Sequence, residues 1–87
     1  MSHRKVRKHG ELRGVSVKAD ISADGSATIR VPVLGRTLVA GRRDGGGFRI
    51  TDLYSLAELG IVSKQKEIIP WVKKWAANQL VARALDH

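Results

Sequence analysis

Arginine and lysine carry the only chemistry this chain offers in quantity. Sixteen basic residues stand against eight acidic ones in 87 residues, giving a formal net charge of +8 and a pI near 10.7. The most distinctive grouping is Arg42-Arg43-Asp44-Gly45-Gly46-Gly47-Phe48-Arg49, three arginines around a glycine run. The planar fork of arginine suits phosphates and base edges alike, whereas lysine acts as a point charge set against phosphate. Lysines of the second kind follow at Lys64, Lys66, Lys73 and Lys74, and Arg4, Lys5, Arg7 and Lys8 load the first ten residues. A short chain with so lopsided a charge points to a polyanionic partner.

Other chemistries lack their parts. The eight acids are scattered, and no pair at helical spacing suggests general acid–base work. His3, His9 and His87 fall in terminal segments, which cannot hold a nucleophile, its base and an orienting group rigidly. The glycine run lacks the lysine and hydroxyl of a nucleotide-hydrolase phosphate loop. There is no cysteine for a disulfide or a thiolate metal site. The chain reads as a non-enzyme with neither cofactor nor metal. No apolar run approaches the roughly 18 residues of a membrane span, so the reading is a cytoplasmic protein with no membrane partner.

Hydrophobic periodicity gives the elements that must position these cations. Residues 1–13 have almost no apolar periodicity and five basic side chains, the pattern of a flexible basic arm ahead of a single small domain at 14–87. From Val15 the period is two: Val15, Val17, Ala19 and Ile21, then Ala27, Ile29, Val31 and Val33 beyond the Ala23–Ser26 turn. That is an antiparallel hairpin with one face on the core, Pro32 lying near a strand end. A third strand over about 36–43 meets a short strand at 48–51 across the glycine turn, a second hairpin. Thr51 or Asp52 can cap a helix at about 52–59, on which Leu53, Leu56 and Ala57 follow helical spacing and Gly60 is the stop.

Ser63 suits the N-cap of a further short helix or turn at about 64–69, and Pro70 the start of a longer helix to Leu85. Lys64 and Lys66 then occupy a first turn, where the helix dipole favours anions. Trp71 and Trp75 share one face and are expected to pack in or near the core. The apolar face drifts toward Leu80, Val81 and Leu85, which would suit a homodimer contact through the C-terminal helix. The fold class expected is therefore α+β, with two N-terminal β-hairpins followed by two or three C-terminal helices.

The order Arg-Arg-Asp-Gly-Gly-Gly-Phe-Arg-Ile-Thr-Asp-Leu over 42–53, followed by Leu59-Gly60 and then by Ile69-Pro70-Trp71-Val72-Lys73-Lys74, resembles the KilA-N type domain of bacteriophages and large DNA viruses. The features that carry the likeness are Asp44, Gly45 to Gly47, Phe48, Thr51, Asp52, Leu53, Trp71, Lys73 and Lys74. The resemblance implies a small α+β DNA-binding module of viral or prophage origin.

Together these readings give a non-catalytic DNA-binding protein, most simply a small phage-encoded regulator. Duplex DNA is favoured as the partner, with RNA second because so few aromatics remain free to stack on bases. Arg4, Lys5, Arg7, Lys8, Arg42, Arg43, Arg49, Lys64, Lys66, Lys73 and Lys74 are the expected contacts. The rival reading is a small phage-type interaction protein that binds and inhibits a host protein complex, anchored on the Trp71/Trp75 face or the end of the last helix.

Overall fold

A computed structural model describes residues 15–85. The expected arm at 1–13, with Arg4, Lys5, Arg7 and Lys8, lies outside the described residues. So do His3, His9 and His87.

Five strands form one antiparallel sheet in simple chain order: β1 (Lys18–Ile21), β2 (Ala27–Val31), β3 (Arg36–Arg42), β4 (Phe48–Asp52) and β5 (Glu58–Val62). A single-turn 3-10 helix, Pro32–Leu34, joins β2 to β3, and another, Gln65–Glu67, leads into one long helix, α1 (Ile68–Leu85). The expected pair of hairpins followed by two or three helices is thus corrected to one continuous meander and one helix. The two hairpins are not separate, because β2 pairs with β3 through Ala27–Ala40, Ile29–Leu38 and Val31–Arg36.

The larger error is the helix expected at 52–59. Asp52 does accept hydrogen bonds from the amides of Tyr54 and Ser55, at 2.9 and 3.0 Å, as an N-cap would. Here they close a single turn. Leu56 then adopts a left-handed φ of +64° and ends it, and Glu58–Val62 extends as β5. Capping side chains and Asx turns begin with the same bonds, and only the following residues separate them. Leu53 and Leu56 remain exposed, so the helical spacing had no buried face behind it.

Strand alternation divides the sheet into two faces. Ala27, Ile29, Val31, Leu38, Ala40, Phe48, Ile50 and Val62 point to one side and are buried. Ile68, Val72 and Ala76 of α1 cover them, with Trp71, Trp75, Ile69, Ala77 and Leu80 packed around the contact. Each fully buried aliphatic side chain contributes about 1.5–3 kcal/mol of transfer free energy. The other face carries Lys18, Asp20, Thr28, Arg30, Thr37, Val39, Gly41, Arg49, Thr51 and Ile61, and among the described residues no helix covers it.

The helix begins at Ile68, two residues before Pro70. Pro70 is tolerated because first-turn amides have no intrahelical acceptor in any case. Glu67 terminates the preceding segment: its Oε1 accepts from the amides of Ser63 and Lys64 at 2.9 and 3.1 Å. Trp71 lies directly over Gly60, where any side chain on the strand would collide with the indole.

Candidate nucleic-acid interface

A meander sorts its connections onto two ends. The β1–β2 turn, the β3–β4 glycine turn and the exit from β5 share one end, and the β2–β3 and β4–β5 connections share the other. Cations collect at the first, which also holds the start of α1.

Arg43 and Ser63, twenty residues apart in the chain, line one cavity of about 360 Å³ with Gly45, Gly46, Gly47, Ile61 and Val62. Lys64 and Lys66 follow immediately from Ser63 and are exposed. Arg42 reaches across to the neighbouring turn and donates from Nη1 to the Asp24 carbonyl at 3.0 Å. The Asp24 carboxyl beside it is held below its ordinary range, chiefly by the Ser26 hydroxyl and amide, with Arg42 assisting. Arg43 donates from Nη1 to the Gly46 carbonyl at 3.1 Å, while its buried Nε has no hydrogen-bond partner.

The turn between them needs its glycines. Gly46 and Gly47 have φ of +103° and +78°. A Cβ on Gly47 would sit 2.6 Å from the Val62 carbonyl oxygen, so the turn can close onto the end of β5 only with hydrogen at that position.

The other expected contacts are distributed more widely. Arg49 lies on the uncovered sheet face, where its Nε pairs with Glu58 at 3.0 Å. Lys73 and Lys74 are exposed on α1, and Lys74 lines shallow grooves with Trp71, one shared with Ser63 and Glu67 and another with Trp75 and Asn78. The structure therefore brings Arg43 together with Ser63, which Lys64 follows in sequence, holds Arg42 against the β1–β2 turn at the same end of the sheet, and leaves Arg49 apart on a different face.

Two basic residues take other roles. Arg36 donates from Nε to Asp52 Oδ2 at 2.7 Å, with Nη2 at 2.6 Å from the same oxygen, and its guanidinium lies 5.4 Å from the centroid of the Trp75 ring. This is a structural clasp between β3, the β4–β5 turn and α1. The Ser55 amide first, then Arg36 and the Tyr54 amide, hold the Asp52 carboxyl below its usual value. Arg30 is exposed on the uncovered face beside Lys18, its partner in register. Sequence periodicity places both there once the strand is recognised.

Sequence reasoning passed over the opposite end of the sheet. Tyr54 and Leu56 in the β4–β5 connection are 80% and 74% exposed, and Leu53 and Val33 are also open. Had the segment been read as a turn, its apolar residues would have stood out.

Among the described residues no group of three or more metal-ligating side chains occurs, and no helix is long and apolar enough to cross a membrane. Comparison with protein-family models, with curated proteins and with solved structures finds no match to the chain.

Proposed function

We propose that the protein binds duplex DNA without catalysing a reaction, and that the end of the sheet bearing the glycine turn grips the phosphodiester backbone. The observation that carries this reading is that Arg43 and Ser63, far apart in the chain, line one cavity, with Arg42 next to the first and the exposed Lys64 next to the second in sequence. Lys64 and Lys66 lie in the exposed turn that leads into α1 at this same end of the sheet and add to its positive charge. Lys73 and Lys74 extend the positive charge along the helix.

Neutralising about four to six phosphates gives a slope of log K against log salt of roughly −4 to −5. Fluorescence anisotropy on duplex DNA across a salt series tests this. Arg42→Ala/Arg43→Ala should weaken binding and flatten the slope by about one to two. Both arginines also brace turns, so Lys64→Ala/Lys66→Ala is the companion variant; neither lysine side chain donates a hydrogen bond among the described residues. Unchanged affinity and slope in both variants would overturn the reading.

The exposed apolar residues of the β4–β5 connection favour a second reading, a protein partner docking on Leu53, Tyr54 and Leu56. It separates cleanly from the first: Tyr54→Ser/Leu56→Ser should retain duplex binding and lose a co-purifying protein.

A further inference from the structure

We propose that the cavity between the β3–β4 glycine turn and the end of β5 is a binding site for a single phosphoryl group. The proposal rests on the DNA reading only for the origin of that group, a backbone phosphodiester. The site's chemistry stands on its own geometry.

Four features converge on the cavity. The Arg43 guanidinium borders it, tethered through Nη1 to the Gly46 carbonyl, which fixes the plane of the fork before any ligand arrives. Its Nε is buried and lacks a partner, a state that costs free energy unless an acceptor completes it. The amides of Gly45 and Gly47 make no hydrogen bond among the described residues, in contrast to Gly46, whose amide donates to the Arg43 carbonyl at 3.0 Å. Ser63 adds a hydroxyl from the opposite wall, and Lys64 follows it with a charge.

Successive backbone amides in a turn with positive-φ residues can form an anion-binding concavity, and a guanidinium beside one supplies the charge-assisted bond. The absence of Cβ atoms along 45–47 lets an oxyanion approach the backbone closely. Opposing groups are few. Asp44 is exposed at the tip of the turn, Glu67 is occupied by the Ser63 and Lys64 amides, and the Val62 carbonyl faces Gly47. Arg42 and Lys66 at the same end keep the local balance positive.

The test is a titration of the full chain, labelled with nitrogen-15, by inorganic phosphate and separately by a short DNA duplex. Chloride at matched ionic strength serves as the control. Phosphate should shift the Gly45, Gly47 and Ser63 amides and the Arg43 Nε–H saturably, and chloride should not. Arg43→Lys keeps the charge but removes the fork, and should weaken phosphate about tenfold. Ser63→Ala, on an exposed residue, gives a second variant whose fold is not in question and should weaken it by a smaller factor.

If phosphate and duplex move the same signals, the site and its DNA origin both stand. Shifts with phosphate alone, with no duplex bound, leave a site for a free phosphate group and overturn the DNA reading. Duplex binding that leaves these signals unmoved overturns the site while the DNA reading survives. No response to either ligand overturns both.

Discussion

At the scale of single residues, Asp52 does the most varied work. It is only 3% exposed, yet its two oxygens serve Arg36 and the amides of Tyr54 and Ser55. Its carboxyl titrates below its ordinary value in the folded protein. A depressed folded value means the stabilisation is fully present above the unfolded carboxylate range, near pH 3.9, and drains away as pH falls through the folded value. Asp52→Asn retains an oxygen for the turn amides but loses the charge opposite Arg36. We therefore expect a lower melting temperature at neutral pH and a shallower loss of stability between about pH 5 and about pH 2, followed by thermal melts across that range. An unaltered pH profile would remove Asp52 from this role. The sequence offered Thr51 or Asp52 as a cap; it could not disclose that the capped segment is one turn long, because identical bonds open both structures.

At the scale of elements, the β4–β5 connection decides the fold. Its left-handed residue is a leucine, a residue type that pays for this conformation in steric crowding that glycine avoids. Leu56→Gly should leave the protein at least as stable, by up to about 1 kcal/mol, as measured by denaturant unfolding. A large destabilisation would mean that the Leu56 side chain holds the turn together. The strand β5 was hidden for a related reason. Glu58-Leu59-Gly60-Ile61-Val62 has no clean alternation, since the sheet register shifts between Ile50 and Thr51 and leaves Leu59 outside the regular pairing. By contrast β2 was legible in its buried-exposed alternation over Ala27–Val31, although Val33, expected on the same buried face, is exposed in the 3-10 turn that follows. The long helix was legible too, apart from its first two residues, because Trp71, Val72, Trp75 and Ala76 mark one face.

At the scale of the whole molecule, legibility falls away for the candidate site. Charge and the glycine turn raise the expectation of a polyanionic partner, but adjacency of Arg43 to Ser63 depends on β5 being a strand that returns to the glycine turn. A helix over 52–59 would have carried Ser63 elsewhere. Topology also fixes when each part of the core becomes covered. Every strand pairs with its chain neighbour, so the sheet can assemble as residues leave the ribosome, whereas Val72 and Ala76 arrive last and shield Ile29, Leu38 and Ile50. A chain ending at Glu67 should aggregate, since a bare apolar sheet face invites association. One ending at Leu80 should stay soluble and cooperative in melting, because residues 81–85 are all exposed. Sedimentation of the two truncations distinguishes these outcomes. During synthesis, then, this protein passes through an interval in which its hydrophobic interior is an open wall, and its need for a chaperone should peak just before α1 emerges.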